Sequence, residues 1–140
     1  VDQATRAFLA GLPGGISLEI AGTALLAVHG SPAGVRHYVY PEHPAQELAA
    51  WLRRAGAGLL LMGHTHRPFI RRLDAGLALN PGSVGKPKDG DPRASYAIID
   101  LLPQPRAEII RLAYDLDQEA RLLRQAGLPP STVEKLYLGT

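Results

Sequence analysis

The sequence predicts an α/β domain, on three observations. Short β-like runs alternate with amphipathic helical stretches along its length, as when helices cover a sheet. One run, Leu59-Leu60-Leu61-Met62, is apolar without a break, the pattern of a strand covered on both faces. Glycine and proline punctuate the boundaries between these stretches.

Thr5 to Leu12 carries Phe8, Leu9 and Leu12 at helical spacing and stops at Pro13-Gly14-Gly15. Ser17 to Ile20 and Thr23 to Val28 flank Ala21-Gly22 and predict a hairpin. His29-Gly30-Ser31-Pro32 is a turn signal, and Ala33 to His43 is a loop containing Tyr38 and Tyr40. Pro44 to Ala55 predicts a helix. Pro44 suits its first position, Leu48, Trp51, Leu52 and Ala55 share a face, and Gly56 and Gly58 frame its end. The apolar run then ends at Gly63-His64-Thr65-His66. Phe69 to Leu73 and Leu77 to Leu79 predict a second hairpin across Asp74-Ala75-Gly76, followed by the turn Asn80-Pro81-Gly82-Ser83. Val84 to Arg93 is a polar surface loop with few apolar anchors, expected to be mobile at the rim of a site. Ser95 to Leu101 and Ala107 to Leu112 predict strands. Asp115 to Ala126 predicts a helix with Gly127 past its end, and Ser131 to Leu138 a last one opened by a capping box of Ser131 and Glu134. No linker or repeat divides the chain, so residues 1–140 read as part of one domain.

Composition narrows the function. The 140 residues are 46% hydrophobic and 20% charged, a globular balance that excludes disorder. The net charge of +2 is dispersed, with Arg53-Arg54 and Arg71-Arg72 as the tight basic pairs, which disfavours nucleic acid as a partner. The apolar stretch Ala57 to Met62 is too short to span a bilayer. The opening residues lack the basic-then-apolar pattern of a signal peptide, and a start inside a helical pattern without Met reads as a processed or cut chain. Cysteine is absent, which fits a cytoplasmic protein and leaves imidazole, carboxylate, amide oxygen or water to hold any transition metal.

Five histidines carry the chemistry. His64 and His66 follow the most apolar run, at the strand end where open α/β sheets bind ligands. In an extended segment residues i and i+2 point the same way, so both are expected to face one site. Gly63 lets the backbone approach closely. His29 ends a second apolar run and is likewise next to a glycine. A lone histidine is more often a hydrogen-bonded core or surface residue, but three in matching strand-end contexts favour metal ligation, and three imidazoles could hold one zinc. His37 and His43 lack that context and read as loop residues.

Gly63-His64-Thr65-His66 resembles the Gly-His-x-His motif of calcineurin-like metallophosphoesterases. Val28-His29-Gly30-Ser31-Pro32 resembles the preceding histidine motif of their small bacterial branch, and Asn80-Pro81-Gly82-Ser83-Val84-Gly85 the loop that follows. Asp91-Pro92-Arg93-Ala94-Ser95-Tyr96 and the stretch from Tyr114 to Gly139 also fit, in order, over essentially the whole chain. The resemblance implies a four-layer α/β/β/α sandwich of which this chain is the C-terminal half. It implies a phosphodiesterase or phosphatase using two divalent ions (Mn, Zn, Fe or Ni) and activated water. The matches to His29 and His64 bind the second metal, and the match to His66 binds the first. Asn80, Lys86 and Arg93 are candidates for substrate binding, the two cations through phosphate oxygens. Asn80, Gly82 and Ser83 could also shape the floor of the site, and Tyr38 and Tyr40 a lid.

The departure from the family is large. No Asp-x-His and no Gly-Asn-His occurs here, and Gly90-Asp91 lies in the loop after the Asn-Pro-Gly-Ser motif. The bridging aspartate and the other ligands are expected from an N-terminal half outside these residues. No catalytic residue is then expected within this chain, which alone should be inactive. Its expected partners are the missing half and a phosphoester small molecule; without that half it should form a homodimer or swap strands. A single-zinc hydrolase of the metallo-β-lactamase kind is disfavoured, because Arg67-Pro68 follow His66 where Asp-His would stand. A non-catalytic binding or scaffold role is the alternative.

Overall fold

A computed structural model describes residues 1–140. The elements in chain order are α1 (Gln3–Ala10), β1 (Gly15–Ile20), β2 (Thr23–Val28), α2 (Ala45–Ala55), β3 (Leu59–Leu61), β4 (Phe69–Leu73), β5 (Gly76–Asn80), β6 (Ala94–Asp100), β7 (Arg106–Leu112), α3 (Leu116–Gln125) and α4 (Pro130–Leu138). Mixed α/β architecture is therefore observed, with a five-stranded sheet in the order β1-β2-β3-β5-β4 and a separate two-stranded sheet, β6-β7.

The unbroken apolar run explains the layers. β3 pairs in parallel with β2 on one side and β5 on the other, and its side chains alternate between two cores. Leu60 and Met62 join Leu48, Trp51 and Leu52 of α2 on one face. Leu59 joins Leu25, Leu77 and Leu79 on the other, against Ala97, Ile99 and Ala107 of the β6-β7 sheet. A fully buried leucine contributes roughly 1.5–3 kcal/mol, so a polar residue at Leu59 or Leu60 would break either layer.

Local signals place α2. Its apolar stripe faces the sheet, and it stops at Gly56, whose φ of 59° is left-handed. There Ala57 N–H bonds to Leu52 O and Gly56 N–H to Arg53 O, closing the last turn. The β1-β2 hairpin turns on Ala21 and Gly22, both at positive φ, as a two-residue hairpin loop requires. α4 differs from its sequence reading. It begins with Pro130 after Pro129 and has no side-chain cap, so Ser131 and Glu134 lie inside the helix and form no capping box. Proline's fixed φ and missing N–H suit the first turn, and that starts the helix earlier.

The other outer edge is bare. Ile16, Leu18 and Ile20 of β1 are about half exposed, as are Phe8, Leu9 and Leu12 of α1 and its flank. No helix is long and apolar enough to cross a membrane.

Candidate metal centre

β2, β3 and β5 run parallel and end at one edge of the sheet. His29 follows β2, Gly63-His64-Thr65-His66 follows β3, and Asn80 closes β5. The parallel ladder carries past the strand ends, since Gly63 N–H donates to His29 O at 2.8 Å. A Cβ on Gly63 would sit 3.3 Å from that same oxygen, a tight contact that glycine avoids where the two histidine loops meet. His29 Nε2 and His64 Nδ1 lie 2.9 Å apart. His64 Nε2 is buried with no hydrogen-bond partner.

His66 is fixed differently. Its Nδ1 donates to the Lys86 carbonyl at 2.7 Å. A carbonyl only accepts, so Nδ1 carries the proton and Nε2 keeps its lone pair in the neutral ring. Carbonyl anchoring of the far nitrogen is the usual support of a metal-ligating histidine. Burial first, then the nearby His29, His66 and Lys88, hold the His64 pKa below the ordinary imidazole value, which favours the neutral, ligating form.

The turn itself is not extended, as the sequence reading had it. His64 and His66 sit at φ of 65° and 57°, a left-handed region uncommon for residues with a Cβ, and Thr65 N–H bonds to Gly63 O at 2.7 Å. The strain is held by what lies beneath. Thr65 is buried, and Asn80, fully buried, donates to Gly63 O at 2.7 Å and to Thr65 Oγ1 at 3.0 Å. Asn80 Oδ1 accepts from Gly82 N–H at 2.9 Å. Asn80 thus has no donor left for a substrate, and its place is the floor of the site. Gly82, at φ 85°, presses against Ser95, so that a Cβ would fall 2.8 Å from Ser95 Oγ. Ser83 Oγ accepts from Lys86 N–H.

The loop from Val84 to Arg93 borders this turn, but it is anchored. Pro87 is buried. Lys88 N–H donates to His66 O, Arg67 Nε to Lys88 O, and Gly90 N–H to Gly139 O. Arg111 pairs with Asp89. Polar anchors thus add to the one buried apolar residue of the loop, Pro87. Arg93 departs from its expected role. Its guanidinium grips Asp91 through both carboxylate oxygens and holds that carboxyl down to about 2, so its charge is already matched. Lys86 meets His66 through its main chain, and its side chain makes no ion pair. Tyr38 lies 4.3 Å from the His64 ring, centroid to centroid, and stacks with Tyr40. His37 and His43 turn away, onto Trp51.

The model of the calcineurin-like phosphoesterase superfamily domain matches residues 1–103. The chain belongs to the calcineurin-like phosphoesterase superfamily. It is 30% identical to an uncharacterized protein of Methanocaldococcus jannaschii, over 94% of this chain and 58% of that protein. It is 38% identical to a probable metallophosphoesterase of Methanothermobacter thermautotrophicus, over 67% of this chain and 55% of that one. A metallophosphoesterase structure from Sphaerobacter thermophilus superposes with a TM-score of 0.84 and 30% identity, covering 100% of this chain and 63% of that one. A hypothetical protein from Pyrococcus horikoshii shares the fold at a TM-score of 0.86 and 24% identity, over 98% of this chain and 55% of that one. The phosphoesterase stretch described here thus spans a little over half the length of these relatives.

Within the 140 residues, no group of three or more His, Asp or Glu side chains converges to hold an ion. The sequence reading missed Thr65 and Arg67. Thr65 is buried beneath the histidines, and no periodicity announces burial in a turn. Arg67 was noted only as a residue that excludes another family.

Proposed function

We propose that this chain supplies the histidine side of a two-metal site in a phosphoester hydrolase, with His29 and His64 on one ion and His66 on its neighbour. The observation that carries this reading is the approach of His29 Nε2 and His64 Nδ1 to 2.9 Å at the end of the parallel strands. Two donors each about 2.0–2.1 Å from one ion span a gap of this order. The imidazole donors fit a borderline metal such as Zn, Fe or Ni, with no thiolate present, and carboxylates in the complete site would admit Mn as well.

Bound divalent ions supply Lewis acidity, neutralising phosphoryl charge and lowering the pKa of water. The chain's own residues hold the geometry. Lys86 O keeps the His66 proton on Nδ1, and Asn80 pins the turn that carries both histidines. Lys86 and Lys88 are the cations of this loop without an ion-pair partner, and Lys86 is the one assigned to phosphate oxygens. Carboxylate ligands are needed to offset the charge of two adjacent ions, and they come from outside these 140 residues. The activity is therefore proposed for the complete protein, while this stretch alone is inactive and serves at most as a binding unit.

The test is Mn²⁺-dependent hydrolysis of bis(4-nitrophenyl) phosphate by the complete protein, by its His64→Ala variant and by residues 1–140 alone. Loss of a ligand and its support should lower the rate by about 100-fold or more, and the short chain should show no turnover above background. An unimpaired His64→Ala enzyme would remove the assignment.

A further inference from the structure

Beside the histidine pair stands a row of side chains that the proposed metal chemistry does not use. Val39 is fully buried in the core and fixes the loop, while its neighbours Tyr38 and Tyr40 stay 52% and 38% exposed. Their rings stack, 6.1 Å apart at 15°. Tyr38 abuts His64 at 4.3 Å. At the far end Arg67 lies over Tyr40, with its guanidinium carbon 5.5 Å from the ring centroid. The Arg67 Nε donates to Lys88 O at 2.8 Å, and no carboxylate pairs with it.

Tyr38, Tyr40 and Arg67 all remain exposed, Arg67 anchored through Nε and the tyrosines placed by the buried Val39 between them. Two exposed rings within 15° of parallel, next to the proposed metal site, are costly to leave bare and can extend their stack to a planar group. A guanidinium oriented through one nitrogen keeps its other N–H donors for an oxyanion, in the fork that matches phosphate. Arg93, by contrast, is closed by Asp91.

We infer that Tyr38, Tyr40 and Arg67 form a recognition platform for phosphoesters carrying a planar aromatic group, a nucleobase or aryl ring stacking on the tyrosines and a phosphate oxygen meeting Arg67. This rests on the proposed hydrolase reading for its place beside the reacting phosphorus, but not for the binding itself. Arg67 is a substrate-binding residue in this account, and the two tyrosines decide specificity.

The experiment is a calorimetric and NMR titration of the complete, EDTA-treated protein with adenosine 5′-monophosphate and with ribose 5-phosphate. The nucleotide should bind on the order of tenfold tighter than the sugar phosphate and shift the Tyr38 and Tyr40 ring resonances. Tyr38→Leu/Tyr40→Leu should erase that advantage. Tyr38→Phe/Tyr40→Phe, which keeps both rings and the packing, should retain it. Arg67→Gln should weaken both ligands together. Equal affinity for the two ligands, or loss of the advantage in the phenylalanine variant, overturns the platform. Metal-dependent hydrolysis without any aromatic preference sinks this inference alone. A nucleotide preference in a complete protein that hydrolyses no phosphoester sinks the proposed activity and leaves the platform standing.

Discussion

Two groups of histidines share this molecule, and they are built in opposite ways. His37 and His43 flank Trp51, one edge-on at 5.8 Å and the other stacked at 5.2 Å. His37 Nδ1 bonds Ser31 Oγ at 2.7 Å, and His43 Nε2 lies 3.0 Å from a Glu47 carboxylate oxygen. One nitrogen of each faces a side chain of the chain itself, and both rings pack on Trp51. His29 Nε2 and His64 Nδ1 meet each other, with Tyr38 against the His64 ring, and His66 is held through Nδ1 by a main-chain carbonyl. The two groups differ in their surroundings: one is packed on an indole of the core, the other is gathered at the ends of parallel strands. Packing, not residue type, separates these two groups of imidazoles.

The most disruptive way to test the contrast is at Trp51. Trp51→Ala removes the surface that orders His37 and His43 and should cost about 3–5 kcal/mol in urea unfolding. In whatever population remains folded, Mn²⁺ affinity measured by calorimetry should be unchanged. A parallel loss of metal affinity would mean that the two groups are not independent.

Asn80 should behave in between, because it belongs to both core and site. Asn80→Ala leaves Gly63 O, Thr65 Oγ1 and Gly82 N–H without their buried partner. Unsatisfied groups of this kind cost about 1–3 kcal/mol, and the left-handed turn that carries His64 and His66 should loosen. Both a lower unfolding free energy and a weaker Mn²⁺ isotherm are expected. Stability loss with intact metal affinity would show that the turn holds itself.

The smallest effect expected is in pH dependence. His64 has a folded-state pKa below the usual 6.5, so the unfolded chain binds the proton more readily. The stability of the metal-free protein should then be full above about pH 6.5 and fall as the pH drops from there towards the folded pKa. His64→Gln should flatten that slope between pH 7.5 and 5.5 in urea titrations. A slope that persists in His64→Gln would assign it to another group.

Much of the fold was legible because its signals are local or periodic. The stripe of Leu48, Trp51 and Leu52 predicts a helix with one covered face, and the run from Leu59 predicts a strand covered on both, as the two cores bear out. Turns written in glycine, such as Gly56 and Gly22, are found at positive φ. The first residue of α4 was misread because Ser131 and Glu134 fit a cap at least as well as Pro129 and Pro130 fit a start, and chemistry alone does not rank them.

The residue types at the strand ends, their order and the absence of cysteine were determined by sequence alone. Only the tertiary structure decided which nitrogens meet. The approach of His29 to His64 depends on the parallel register of β2 and β3 and on the room left by Gly63, contacts between segments more than thirty residues apart. The same holds for the cations. Arg93, Lys86 and Arg67 are alike as letters, and what separates them is that Asp91 neutralises the first, Lys86 contributes a carbonyl to His66, and Arg67 is aimed and unpaired. Charge is written in the sequence, but whether a charge is free depends on the distance to its nearest opposite, and that distance exists only in the fold.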